Sequence, residues 1–325
     1  MKPLRFLVVS VMALGLAFCP EGTGFAAEKK FPSKPIQVII PFQPGSTDIL
    51  LRPFVEKLPE YLGQPVTYTY KPGAAGSLGA GFVASSNPDG YTLLGSSQSS
   101  LTVVPLTQKV PYSWRSFAPI SCVVDVPNLC VVKGDARWKD LKEFVAEAKK
   151  NPGQISFTSS GAFGSLHITG EALASAAGIQ LNHIPSQGSA PSVTAVLGGH
   201  VNMNIVTMAV VIPHLRAGTM RALCVFDEKR LSFFPDVPTA AELGYKVYTS
   251  GVYGLLAPKA TSKEIVETIY QAAKKVRDNH GAAINERYEK LGVQMRFLGF
   301  EEYSKLLKEE EEWHDKMIKE IKARN

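Results

Sequence analysis

The stretch Ile36-Gln37-Val38-Ile39-Ile40-Pro41-Phe42-Gln43-Pro44-Gly45-Ser46-Thr47-Asp48 passes from a β-rich apolar run through a small-residue loop into a helix start. The same succession recurs three times. Residues 66–70 lead into Lys71-Pro72-Gly73-Ala74-Ala75-Gly76-Ser77, residues 155–159 into Ser160-Gly161-Ala162-Phe163-Gly164-Ser165, and residues 181–184 into Pro185-Ser186-Gln187-Gly188-Ser189. Strand, loop and helix in this order are the parts of βαβ units, which build a mainly parallel sheet with helices on its faces. In such sheets the loops gather at the carboxyl ends of the strands, where ligands bind.

Working outward, strands are predicted at 36–42, 66–70 and 91–95, then at 129–132, 155–159, 181–184, 201–206 and 220–226. Helical spacing predicts helices near 138–150, 166–177, 190–197 and 210–217 between members of the second set. From Ser262 the chain turns helical: Ile265, Ile269, Ala272 and Val276 form one apolar stripe, and Tyr303, Leu306, Leu307, Trp313, Met317 and Ile321 a second. The acidic run at 309–312 is expected on a solvated helix face. Two α/β lobes result, with residues 27–124 plus 252–325 forming lobe 1 and residues 125–251 lobe 2. The turn-rich stretches 116–128 and 227–251 divide them, so the chain leaves the first lobe once and returns once, through segments suited to a hinge. A continuous single sheet through all the strands would contradict that hinge.

The 325 residues are 45% hydrophobic and 20% charged, enough for two cores and unlike a disordered chain. Residues 1–26 read as a secretory signal peptide: Lys2 and Arg5 precede an apolar run, and Gly24-Phe25-Ala26 ends in small residues. Its removal lowers the formal charge from +6 to +5. Lys and Arg are scattered, without a basic cluster interleaved with aromatics, so no nucleic-acid partner is expected. Cys122, Cys130 and Cys224 remain. Cys122 and Cys130 flank Val126-Pro127-Asn128, and if that segment turns they face each other as a disulfide pair. The preferred reading is three small buried residues in apolar strands.

Hydrogen bonding is the chemistry the four loops offer. Gly and Ser let backbone amides approach a ligand, and helix N-termini favour an anion such as a carboxylate. Ser46, Thr47, Ser77 and Ser165 equally suit plain helix caps. No phosphate-binding Gly-Lys-Ser/Thr loop, dinucleotide fingerprint or Gly-x-Ser-x-Gly elbow occurs. The six histidines lack metal-ligand spacing, so no metal or other cofactor is expected. His167 reads as a structural residue that orients the 160–165 loop, and Asp48 as a helix-start acid rather than a catalytic one.

At these loops the chain resembles the substrate-binding proteins of the tripartite tricarboxylate transporter system, the Bug family. The matching pieces are Phe31-Pro32-Ser33-Lys34-Pro35-Ile36, Pro41-Phe42-Gln43-Pro44-Gly45, Lys71-Pro72-Gly73-Ala74-Ala75-Gly76, Pro88-Asp89-Gly90-Tyr91-Thr92-Leu93, Ser159-Ser160-Gly161, His183-Ile184-Pro185, Pro235-Asp236-Val237-Pro238-Thr239 and Leu256-Ala257-Pro258. The resemblance implies a two-lobed, type II-like periplasmic binding fold, each lobe a mainly parallel sheet flanked by helices, with the ligand cleft between the lobes. It implies a small carboxylate ligand, delivery to membrane subunits of the transporter, and no catalysis. A monomer is expected. The anion-binding groups it implies fall on Phe42, Gln43, Gly45, Ser46, Thr47 and Asp48, and on Ala74, Ala75, Gly76 and Ser77. Ser159, Ser160, Gly164, Ser165, Ser186, Gln187 and Thr207 would come from the other lobe, and Phe42, Gln43, Phe163 and Met208 would form the distal wall.

Three departures from the family pattern stand out. The loop Pro44-Gly45-Ser46-Thr47-Asp48 is one residue short, Pro53 and Pro59 should kink or break the first helix, and Asn202 replaces the usual Asp. The expectation is a periplasmic receptor for a di- or tricarboxylate or related organic acid. Its rivals are a secreted α/β enzyme acting on an anionic substrate, which would need a His, an Asp48-like acid and a serine brought together, and a ligand-binding sensor partner.

Overall fold

The computed structural model describes residues 30–324; the signal-peptide segment lies outside them. The first strand–loop–helix unit is β1 (Ile36–Ile40) with α1 (Ser46–Val55) and the short α2 (Pro59–Leu62). β2 (Val66–Tyr70) leads to α3 (Ser77–Ala84), and β3 (Thr92–Ser97) to a π-turn at Ser99–Val103 and α4 (Val104–Thr107). After β4 (Phe117–Lys133) the alternation resumes as α5 (Leu141–Lys150), β5 (Ser156–Ser159), α6 (Ser165–Ala177), β6 (Asn182–Pro185), α7 (Ser189–Leu197), β7 (Met203–Thr207), α8 (Met208–Arg216) and β8 (Met220–Val225). The chain finishes with β9 (Ser250–Pro258), α9 (Lys263–Glu289), β10 (Gln294–Leu298) and α10 (Phe300–Arg324).

Pairing is parallel in the two wings. β1 lies between β2 and β3, with Ile36 opposite Val66 and Val38 opposite Leu93, and β5 lies between β6 and β7, with Phe157 opposite His183 and Met203. The centre is antiparallel, so the sheet is mixed: β9 joins β3 to β4, and β4 also pairs with β7, β8 and β10. All ten described strands form one connected sheet, with β8 and β10 paired to β4 off its main path, so the single-sheet arrangement set against the expected hinge is the one present; among the described strands β4 alone pairs both with β9 and β10 and with β7 and β8. Its residues up to Pro127 pair with β9, and from Asn128 onward it pairs with β7 and β8.

Several expectations change here. Val126-Pro127-Asn128 is not a turn but the middle of a 17-residue strand. Pro127, which has no N–H to donate, falls where β4 exchanges partners, the position in a ladder where a missing donor costs least. Cys122 and Cys130 therefore sit eight positions apart on one strand instead of facing across a hairpin, and all three described cysteines are free and buried. Cys130 stands opposite Cys224 of β8. β9 and β10, where the sequence predicts no strand, pair with distant segments. Pro53 is accommodated inside α1, which stops two residues later, and Pro59 opens α2 at the first helical positions, where a missing N–H is harmless.

The apolar stripes point where they were expected. Ile269, Ala272 and Val276 of α9 join the largest core cluster, together with Ile36, Val38 and Ile40 of β1 and Leu50, Leu51 and Phe54 of α1. A second core encloses Phe157, Phe144, Leu173 and Ile205 around β5. α10 touches several clusters: Tyr303 and Leu307 pack with Ile39 and Phe117, while Met317 and Ile321 lie against the second core. Its acidic run is only partly solvated. Glu309 and Glu312 are exposed, but Glu311 pairs with Arg115 and Glu310 turns inward beside Asp125 and Arg296.

Candidate functional site

At the carboxyl ends of β1, β3, β5 and β7 lies a small, partly open cavity of about 20 Å³. Phe42, Gln43, Ser46 and Thr47 line it from the loop after β1 and the first turn of α1; Ser160, Ser165 and Leu166 from the loop after β5 and α6; Ser189 from α7; and Thr207 from the end of β7. The floor comes from strands: Ser97 stands opposite Tyr253, and Asn128 opposite Thr207, with Gly251, Gln98 and Ser99 completing it. No Lys, Arg, His, Asp or Glu is among these lining residues.

The helices that open on the cavity start differently from α5 and α9. Away from the cavity, the Asp140 side chain accepts from Glu143 N to cap α5, and the Ser262 hydroxyl caps α9 from Ile265 N. At the cavity, α1, α6 and α7 start after Gly45, Gly164 and Gly188, and α8 after Thr207, in each case without a side-chain cap. Ser46 and Ser165 are the first helical residues and occupy no capping position, which answers the alternative raised for them. Glycine in the cap position costs only a few tenths of a kcal/mol relative to a capping side chain. In return the first-turn amides stay unclaimed by a cap, apart from Ser165 N, which donates to Ser99 Oγ, and the positive ends of several helices converge on one space.

Hydroxyl groups knit the two sides together. Ser46 Oγ donates to Ser189 Oγ at 2.8 Å, and Ser165 N donates to Ser99 Oγ at 2.9 Å. Thr207 Oγ1 and Tyr253 Oη lie 3.2 Å apart, and burial raises the Tyr253 pKa, keeping its proton available for hydrogen bonding. Gln98 is spent on structure: its Nε2 donates to Ser250 O at 2.5 Å and its Oε1 accepts from Val252 N at 2.8 Å, tying β3 to the start of β9. The loops meet at small residues. A Cβ placed on Gly161 would come within 3.0 Å of Ala75 Cα, and one on Gly164 within 2.9 Å of Ser99 Oγ.

Of the residues singled out in the sequence, Phe42, Gln43, Ser46, Thr47, Ser160, Ser165 and Thr207 line the cavity. The others are placed elsewhere. Gly45 abuts Ser189 and Ala190, and Ala75 abuts Gly161; a Cβ on Gly76 would strike the Phe42 ring, Ala74 belongs to the same tight turn, and Ser77 is the first residue of α3. Asp48 points away into an ion pair with Arg52 at 2.5 Å. Ser186 Oγ lies 3.1 Å from Thr158 Oγ1, Gln187 is exposed, and Met208 packs over Gly292 within the main core. Phe163 is half exposed, and its N–H donates to His167 Nδ1 at 2.9 Å, so His167 does orient its loop. Asn202 Oδ1 accepts from Ser156 N and Ser156 Oγ, both at 3.0 Å, a local brace between strands. Ser97, Gln98, Ser99, Asn128, Leu166, Ser189, Gly251 and Tyr253 were not anticipated. The run Ser96-Ser97-Gln98-Ser99-Ser100 after the third strand carried the same small-residue signal as the other loops; Asn128 and Tyr253 lie inside strands and carried none.

A Ser–His pair exists, and Glu171 pairs with the neighbouring His167 at 3.4 Å. Ser159 Oγ lies 2.9 Å from His183 Nε2, and the His183 ring stacks on His167 at 3.8 Å between centroids. Burial, with His167 beside it, pushes the His183 pKa down to about 3. Ser159 is fully buried, its hydroxyl also 3.0 Å from Gly161 O, and Asp48 is held by Arg52.

Residues 50–323 match the model of the tripartite tricarboxylate transporter family receptor. A protein of Cupriavidus necator described as a UPF0065 protein in the gbd 5' region is 37% identical over 276 residues, covering 84% of this chain and 82% of its own. Protein BugT of Bordetella pertussis is 37% identical over 241 residues, covering 73% and 74%. Among solved structures, MatC from Rhodopseudomonas palustris with bound malate is 26% identical and superposes with a TM-score of 0.83 over 89% of this chain and all of that one.

Proposed function

The chain belongs to the tripartite tricarboxylate transporter receptor family, and from that premise we propose that it is a periplasmic receptor that encloses one small carboxylate between its two α/β lobes for delivery to the membrane subunits of the transporter. The observation that carries the proposal is the convergence of uncapped helix N-termini on a cavity lined by hydroxyl and amide groups and no charged side chain. Such a site stabilises an anion with fixed dipoles. It also releases the ligand readily, because no buried ion pair has to be broken. The malate held by MatC is the kind of ligand this chemistry accommodates.

In this account residues 27–124 plus 252–325 form one lobe and 125–251 the other. Residues 1–26 direct export, and the protein acts as a monomer without a cofactor. No described helix is long and apolar enough to cross a membrane. In this reading the protein binds without catalysing, and Ser159 and His183 lie outside the residues lining the cavity. The test is a thermal-shift and calorimetric screen across di- and tricarboxylates, acidic amino acids and aromatic acids. At least one is expected to bind and raise the melting temperature, and a screen without a binder would refute the proposal.

A further inference from the structure

The cavity contains one fixed group whose chemistry a simple carboxylate does not satisfy. Asn128, at the floor of the cavity, is 1% exposed. Its Nδ2 donates to Thr249 Oγ1 at 3.1 Å, and its Oδ1 has no partner. Of the buried side-chain atoms without a partner among the described residues, this oxygen alone belongs to a residue lining the cavity.

The Asn128 amide joins a short chain of hydrogen bonds: Thr169 Oγ1 donates to Ser165 O at 2.9 Å and towards Thr249 Oγ1 at 3.2 Å, and Thr249 Oγ1 accepts from Asn128 Nδ2. The amide oxygen is what remains for the cavity's occupant. That oxygen only accepts. A carboxylate oxygen against it is repelled, a methylene leaves it buried and unpaired, and a hydroxyl or ammonium group pairs it.

We infer that the bound acid carries a hydrogen-bond donor, a hydroxyl or amino substituent, and that Asn128 is the specificity-determining residue that selects it. This rests on the carboxylate-receptor account and adds to it the substrate class.

The experiment is calorimetric titration of the full-length exported protein with matched acids: malate, aspartate and succinate; citrate and tricarballylate; mandelate and phenylacetate. Within whichever scaffold binds, the donor-bearing acid is expected to bind about 10- to 100-fold more tightly than its plain counterpart. Malate against aspartate tells whether the donor is hydroxyl or ammonium. In Asn128→Ala, checked for folding by its melting curve, the preference should collapse to about threefold or less. Equal or tighter binding of the plain acid means that the oxygen is satisfied without the ligand and overturns the inference while leaving the carboxylate account intact. A preference that survives in folded N128A overturns it as well. If N128A does not fold, the ratio measured on the unaltered protein decides alone, and binding by none of the seven acids overturns the inference together with the account it rests on.

Discussion

Ser46 Oγ donates to Ser189 Oγ at 2.8 Å, joining the first residue of α1 to the first residue of α7 across 143 residues of sequence. Both residues are buried, and both follow a glycine that brings its loop against the opposite one, Gly45 against Ser189 and Gly188 against Gln43. The contact ties the two sides of the cavity together.

Replacing Ser46 by leucine crowds the cavity against Ser189. Ligand affinity is expected to fall by about 100-fold or more, with a stability loss of about 1–3 kcal/mol. Calorimetry and a melting curve measured on the same preparation check the two halves of that statement.

Gly164→Ala is a gentler version of the same test. The Gly164 backbone is in the extended region at φ −93°, which any residue adopts, so alanine introduces no backbone strain. Its Cβ would lie 2.9 Å from Ser99 Oγ, within the contact through which Ser165 N reaches that hydroxyl. A loss of affinity of about tenfold is expected, whereas affinity unchanged or improved would mean that these loops do not approach each other in the bound state.

The pH dependence of stability should carry the signature of His183. Burial and His167 hold its folded pKa at about 3, below the ordinary value of about 6.5. A depressed pKa contributes stability that is present above pH 6.5 and is lost as pH falls toward 3. His314, fully buried on α10, is pushed down to about 4 by the same cause and adds to the loss. His183→Gln should therefore flatten the decline between pH 6.5 and 4 in a series of urea melts, and a decline as steep as before would remove His183 from the account.

Glu310 titrates in the opposite sense. Burial, reinforced by Asp125, raises its pKa to about 7, with Arg296 opposing and Glu309 adding to the rise. A raised pKa gives stability that is present below about 4.5 and lost as pH climbs through 7. Glu310→Gln should be more stable than the parent at pH 8 by about 1–2 kcal/mol and nearly equal to it at pH 4; a destabilised variant at pH 8 would show that the ionised carboxylate is well paired.

The wings of the sheet and the loops that follow them are legible because their signals are local. A β-branched run, a small-residue loop and a helical period lie within about twenty residues of one another, and Val66–Tyr70 and the starts of α6 and α7 fall within a residue of expectation. The centre is not legible in that way. β4 and β9 pair antiparallel across more than a hundred residues, and Pro127 mimics a turn in the middle of the longest strand. Ser46, Thr47 and Ser165 could be found from their loops, whereas Asn128, Gly251 and Tyr253 reach the cavity only through that non-local pairing. The charge run was misread in part for a similar reason: its pattern shows a helix face, but not that Glu310 lies against Asp125 and Arg296 on other strands.

The central claim is that a carboxylate is held here by helix N-termini from both lobes without any cationic side chain. A crystal structure grown with the tightest-binding acid tests it most directly. The account predicts a carboxylate within hydrogen-bonding distance of first-turn amides of α1 and of α6 or α7, no Lys or Arg side chain within reach, and a donor group of the ligand on Asn128 Oδ1. An acid bound against a lysine or arginine, or seated outside this cavity, would contradict it.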